Sequence, residues 1–344
     1  MKQKTVLTIA GSDPSGGAGI QADLKTMEAF DVYGMSVITA LTAQNTLGVS
    51  AVMNVEHAFV EKQLEAVLSD IQPDAVKIGM LPDRNIMEVV CRAIDKYKIK
   101  NVVLDPVLSS TSGTELSRNS DLEYMIKELF KRCTLITPNI PEVEKIIKSI
   151  SAICQDQSFK NMYISSGEDY KKNLVRIDKN IFYTNSIGED INSIDEDICS
   201  IEKISSKEDM ELAARIISDF CGCSVLIKGG HSSFAGDDSS DDLLYLMPGS
   251  RYSSDDLNIV EMENACDMWQ ERGENLGFRR IWLTGKRIDN SNTHGTGCTL
   301  SSAIACGLAK GKTIEKAMSL AKDYITECIS MGLDLGHGRG PLYH

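Results

Sequence analysis

Near the C-terminal end, Asn292-Thr293-His294-Gly295-Thr296-Gly297-Cys298-Thr299 runs straight into the small, apolar stretch Leu300–Ala305. Gly295 and Gly297 carry no Cβ, so the backbone there turns tightly and a ligand comes close to it. The stretch that follows predicts a helix. Its unpaired N–H groups and positive dipole end favour an anion, typically a phosphate. Cys298 lies where that field is strongest. The run also fits a plain helix-capping turn with a buried cysteine, since short glycine motifs recur without function. A second glycine-rich stretch at the other end of the chain favours the phosphate reading.

That second stretch, Thr8-Ile9-Ala10-Gly11-Ser12-Asp13-Pro14-Ser15-Gly16-Gly17-Ala18-Gly19, separates an apolar run from a segment of helical spacing. It lacks the GxGxxG spacing of a dinucleotide fold, and no Gly-Lys-Ser or Gly-Lys-Thr follows it as in a Walker loop. It reads as the floor or cover of a small-substrate site. Asp23, about one turn into the helix, is placed to point a carboxylate at that site, or else to sit solvated on the helix surface.

The elements that must hold these loops alternate. Val6–Ala10, Met35–Thr42, Ala75–Gly79, Asn101–Leu104, Thr134–Thr137 and Ser224–Lys228 read as strands. Ile20–Phe30, Val60–Ser69, Ile86–Lys98, Leu122–Phe130 and Glu208–Phe220 read as helices. The strands are continuous apolar runs, as in a parallel sheet covered on both faces. Ligands of such sheets gather beyond the carboxyl ends of the strands, where Gly11, Gly79, Asp105 and Asn139 fall. Two stretches, about 151–206 and 248–277, break the rhythm with acidic, Ser/Asn/Asp-rich sequence and read as insertions in a single domain.

The 344 residues, 42% hydrophobic and 25% charged, suit a globular chain with a substantial core. A formal net charge of −13 argues against a general nucleic-acid or anionic-membrane surface. Ten cysteines without CxxC pairs, and a first apolar run too short for a signal peptide or membrane span, predict free thiols in the cytoplasm and no zinc site.

The motifs together resemble the hydroxymethylpyrimidine/phosphomethylpyrimidine kinases of thiamine biosynthesis, in the ribokinase-like superfamily. The matching stretches are TIAGSDPSGGAGIQADLKT (Thr8–Thr26), VITALTAQNTLGV (Val37–Val49), KIGML (Lys77–Leu81), VVLDPV (Val102–Val107), LITPNIPE (Leu135–Glu142), LIKGGH (Leu226–His231) and NTHGTGCTLSSAIA (Asn292–Ala305), with the ending GHGRGPLYH (Gly336–His344). The resemblance implies a three-layer αβα sandwich with a mainly parallel central sheet. It implies transfer of the ATP γ-phosphoryl group to 4-amino-5-hydroxymethyl-2-methylpyrimidine and then to its monophosphate, with Mg²⁺, in a homodimer. Pyridoxal kinase is the nearest alternative, and a ligand-binding protein on a kinase scaffold the other.

On that resemblance Gly295, Thr296, Gly297 and Cys298 would donate backbone N–H groups to the phosphoryl oxygens. Many ribokinase relatives have an aspartate base where Cys298 stands. The helix N-terminus is expected to lower the thiol pKa and make it a base for the substrate hydroxyl. Asp105 and Glu142, with Asn139 in an Asn-x-x-Glu arrangement, would orient Mg²⁺, Glu142 through water; Glu142 also fits a helix-start carboxylate. Lys228, Thr293 and Asn139 would face the nucleotide. Gln44 would match the aminopyrimidine edge with one donor and one acceptor, with Gly11, Met80, Val107 and Asp23 around the ring. His294 and His231 read as hydrogen-bonding loop residues rather than bases.

Overall fold

Alternate side chains of each short strand go to opposite faces, and both faces here are apolar. Leu7 and Ile9 of β1 (Thr5–Ser12), Val76 and Ile78 of β4 (Ala75–Ile78), and Val102 and Leu104 of β5 (Val102–Leu104) enter one core cluster. Val6, Ala75 and Val103 enter a second cluster on the other side. A sheet with two buried faces needs a helical layer on each, and that is the architecture of this computed structural model. It describes residues 3–108, 119–155, 201, 203–230, 240–247, 268–272, 279–285, 287–288, 290 and 292–344.

The first layer is built by α2 (His57–Leu68), α3 (Arg84–Tyr97), α4 (Asn119–Tyr124), α5 (Ile140–Gln155) and α6 (Lys207–Cys221). The second is built by α1 (Gly19–Ala29), α7 (Thr296–Ala309) and α8 (Ile314–Met331). Local signals start several helices: Asp83, Ser206 and Thr313 each accept a backbone N–H three residues on. α7 is apolar on every side because it lies between the sheet, α1 and α8, and its whole length from Thr299 to Ala309 is buried.

Among the described residues the sheet has ten strands, in the order β3-β2-β1-β4-β5-β6-β7-β8-β10-β9. From β2 (Tyr33–Asn45) to β7 (Ser224–Ile227), through β6 (Leu135–Ile136), neighbours are parallel. The expected three-layer αβα fold is thus the observed one. Antiparallel strands extend it at both edges: β3 (Gly48–Asn54) on one side, and β8 (Asp242–Leu246), β10 (Arg279–Leu283) and β9 (Met268–Arg272) on the other. The two expected insertions lie mostly outside the described residues, as does His231. Within them, α5 continues through Gln155, and β9 is a regular strand.

Candidate active site

A cavity of about 1070 Å³ opens at the carboxyl ends of the parallel strands, and its wall is drawn from both ends of the sequence. Three things aim side chains into it. Pairing of β1 with β2 slips between Ala10 and Ser12, and pairing of β2 with β3 slips between Ala43 and Gln44. Such bulges redirect a strand's side chains, here at Gly11 and Gln44. Strand ends deliver Met80, Asp105, Asn139 and Lys228. The start of α7 delivers Gly295 to Cys298.

The glycines of that start are needed where they are. Gly295 caps α7 at φ 86°, in the left-handed region, and a Cβ on it would strike the Gly17 carbonyl. A Cβ on Gly297 would lie 2.9 Å from Asp105 Oδ2 and 3.4 Å from Lys228 Nζ. The missing side chain therefore lets an ion pair press against the helix N-terminus. Lys228 Nζ donates to Asp105 Oδ1 at 2.7 Å, and Thr137 Oγ1 donates to the same oxygen at 3.2 Å.

Asn139 and Glu142 form a reciprocal capping box at α5. Glu142 N–H donates to Asn139 Oδ1 at 2.9 Å, and Asn139 N–H donates to Glu142 Oε2 at 2.8 Å. Both residues also line the cavity, so the cap and the site share one carboxylate. Burial, with Asp105 adding to it, pushes the Glu142 carboxyl up to about 7 against the pull of Lys228 and two backbone N–H groups.

The same cavity wall includes Gln44, Met80, Gly11 and Val107 with Thr42, Asp13 and His294. Asp13 folds its own loop: its Oδ1 accepts from the Ser15 backbone and hydroxyl, and its Oδ2 from Gly17 N–H at 3.1 Å and Ala18 N–H at 2.8 Å. Burial pushes Asp13 up, but His294, Ser15 and Ala18 outweigh it and hold the carboxyl at about 2. Residues from the C-terminal tail brace this wall. Arg339 N–H donates to Thr46 O, Gly338 N–H to Thr46 Oγ1, His294 N–H to Gly340 O and Gly340 N–H to Asn292 Oδ1.

Two expectations need correction. Asp23 is not in the cavity wall. It is fully buried beneath α7, its Oδ1 bonded by Lys77 and Ser302 and its Oδ2 by Lys77 and Thr8, all within 2.6–2.8 Å. Every acceptor site is taken, and none faces a ligand. Cys298 does line the cavity, but its thiol is not acidified: burial pushes it up to about 11, outweighing Lys77 and the Gly19 N–H. The sequence shows the helix start but not the protein that surrounds the sulfur.

The other expected residues, including Thr293, Thr296, Asn139 and Lys228, fall around the same cavity. Sequence reading missed Asp13, and also Lys322 of α8, which is paired with Asp242 in the wall. Asp13 stood in the glycine loop and could have been flagged; a lysine in mid-helix gives no signal. Arg339 lay within a recognised motif without a role. Among the described residues, no cluster of three or more His, Cys, Asp or Glu side chains forms a metal cage. No described helix is long and apolar enough to cross a membrane.

The sequence profile of the family described as Phosphomethylpyrimidine kinase matches residues 13–175 and 192–343. The chain belongs to that family. It is 33% identical over 346 residues to the hydroxymethylpyrimidine/phosphomethylpyrimidine kinase of Escherichia coli, covering 100% of this chain and 98% of the relative. It spans only about half of two bifunctional thiamine-biosynthesis proteins it matches: 46% of one from Oryza sativa and 52% of one from Geobacter sulfurreducens. The crystal structure of a phosphomethylpyrimidine kinase from Clostridium difficile is 34% identical, with a TM-score of 0.61 over 95% of this chain and all of the other. A Staphylococcus aureus pyridoxal kinase in complex with ADP is 29% identical, with a TM-score of 0.69 over 100% of this chain and 94% of the other.

Proposed function

We propose that the protein transfers the γ-phosphoryl group of ATP to the hydroxymethyl of 4-amino-5-hydroxymethyl-2-methylpyrimidine, and then to the resulting monophosphate. The observation that carries this reading is one cavity whose wall holds both an amide-lined helix N-terminus and a ring-matching carboxamide, Gln44. An alcohol seated on Gln44 has its oxygen directed at the start of α7, where phosphoryl charge is stabilised.

Phosphoryl transfer asks for position and charge neutralisation more than for bond-making by the protein. The backbone N–H groups of Gly295, Gly297 and Cys298 meet the equatorial oxygens of the moving phosphoryl group with fixed dipoles, while Thr296 N–H closes the turn onto Thr293 O. Lys228 holds the nucleotide phosphates, exchanging part of its bond to Asp105 for them. Thr293 and Asn139 flank the nucleotide. Asp105 and Glu142 suit a hard, oxygen-seeking cation, because Asp105 Oδ2 has no hydrogen-bond donor among the described residues and Glu142 carries only backbone N–H partners. Mg²⁺ there would neutralise phosphate charge, Glu142 acting through water because its Oε2 caps α5 and its Oε1 accepts from Leu108 N–H. Gly11, Met80 and Val107 bound the ring.

Cys298 acts through its backbone N–H. Burial pushes its thiol up to about 11, which disfavours the thiolate that a base would need. The alcohol proton leaves late in a loose transition state, directly to phosphoryl oxygen or water. Leu47 and Met53, exposed on the β2–β3 edge, give a second copy an apolar surface for the homodimer of this reading, which works in the cytoplasm.

A coupled ATP assay with the pyrimidine alcohol, its monophosphate and pyridoxal tests the assignment. Expected is kcat/KM at least about 100-fold higher for the pyrimidine alcohol than for pyridoxal, with turnover of the monophosphate. Preference for pyridoxal would replace this reading, and no ATP consumption with any of the three would end it.

A further inference from the structure

The cavity wall around Gln44 contains a conflict of hydrogens whose solution defines a role for His294. His294 Nε2 lies 3.0 Å from Asp13 Oδ2 and 2.9 Å from Gln44 Nε2. Asp13 Oδ2 already accepts two backbone N–H groups, from Gly17 and Ala18. It is an acceptor with nothing to donate, so His294 Nε2 must carry a hydrogen towards it. A nitrogen carrying a hydrogen cannot also accept from the Gln44 amide. The atom of Gln44 beside His294 must be the carboxamide oxygen, since amide nitrogen and oxygen differ in role but hardly in shape.

A second count of hydrogens gives the same orientation independently. Thr42 Oγ1 lies 3.0 Å from Ser12 O and 3.3 Å from the other terminal atom of Gln44. A hydroxyl has one hydrogen, and Ser12 O can only accept. With the amide turned, Thr42 donates to Ser12 O and accepts from the Gln44 NH₂, and the single His294 Nε2 hydrogen is shared between Asp13 Oδ2 and the Gln44 oxygen, whereas an unturned amide would set N–H against N–H. Only the turned amide satisfies both sides.

We infer that His294 is a positioning residue: held as an N–H donor by Asp13, it fixes which way the Gln44 carboxamide faces and hence which ring edge the pocket accepts. This rests on the kinase reading above. One amide N–H and one oxygen lone pair of Gln44 remain for the ligand, in an order set by His294. An aminopyrimidine, with a ring acceptor beside an amino donor, matches that order. A ring with a carbonyl in place of the amino group meets oxygen with oxygen, and an unpaired polar group in a closed site is how such pockets reject. His294 itself is 6% exposed and does no proton transfer to the reacting alcohol in this scheme.

The test is a double-mutant cycle read by steady-state kinetics. His294→Ala is expected to raise KM for the pyrimidine alcohol about 10- to 30-fold with kcat within about threefold, and to narrow the preference over pyridoxal by a similar factor. His294→Gln, which restores a donor, should recover most of the loss. In a Gln44→Ala background the His294→Ala change should cost less than about twofold more, because a residue acting through another has nothing left to act on. ADP affinity should stay at the wild-type value. If His294→Ala also loses ADP binding, His294→Met, which fills the space without a donor, reads the same split. Losses that multiply across the cycle in an otherwise active enzyme, or a fall in kcat at unchanged KM, overturn the role of His294 alone. A wild-type protein that turns over none of the alcohols overturns this role and the kinase reading together.

Discussion

At Cys298 two opposed effects act on one sulfur. Burial, with Asp23 and Asp105 adding to it, opposes a thiolate, while Lys77 and the Gly19 N–H favour one, and burial wins. The residue then matters for its peptide N–H, which any side chain of similar size preserves. Cys298→Ala should therefore lower kcat by no more than about tenfold at saturating substrate. A loss of a thousandfold or more, together with loss of an alkaline rise in the wild-type pH profile, would reinstate the thiol as base. The position of Cys298 was legible from glycine spacing and the apolar run behind it. Its titration was not, because Lys77 and the surrounding wall come from strands some two hundred residues earlier in the chain.

Among the elements, the buried quartet of Thr8, Asp23, Lys77 and Ser302 does for the site what no surface residue could. It ties β1, α1, β4 and α7 together directly under the start of α7. Burial pulls the Lys77 ammonium down, but Asp23, then Cys298 and Asp105, hold it above its ordinary value. Removing one partner leaves the other charged and dry, so Lys77→Met should cost about 3–5 kcal/mol in urea unfolding. The double change Lys77→Met with Asp23→Leu should regain much of that; equal losses in both would mean the pair is not what fastens the layers. The parallel strands and their helices were readable as apolar runs alternating with helical spacing. β3 and the antiparallel β8–β10–β9 edge were not, since Asp242–Leu246 is buried on both faces and shows no alternation. Asp23 was misread for a similar reason: helical spacing gives its angle on α1 but not that a lysine from β4 waits beside it.

For the molecule as a whole, one carboxyl couples folding to pH. Glu142 rises from 4.5 to about 7 on burial, so between those values the folded chain holds a proton that the unfolded chain has released. This group's contribution to stability is therefore greatest below pH 4.5 and is lost as pH rises through about 7, a change of roughly 3 kcal/mol. Denaturant titrations at pH 5 and pH 8 should show it as a falling stability that Glu142→Gln flattens. Mg-ATP should restore more stability at pH 8 than at pH 6, since a cation site recovers the charge that burial penalises. Identical pH slopes in the wild type and the variant would separate the capping box from any such linkage.

The bracing of Thr46 and His294 by residues 338–340 joins segments almost three hundred residues apart in the chain beside the cavity. The six parallel strands from β2 to β7 pair without residues 338–340, whereas the turn after Gln44 leans on them. A refolding chain whose sheet has formed would thus be ordered in its middle and open at its mouth, and binding competence would arrive only once these distant residues dock.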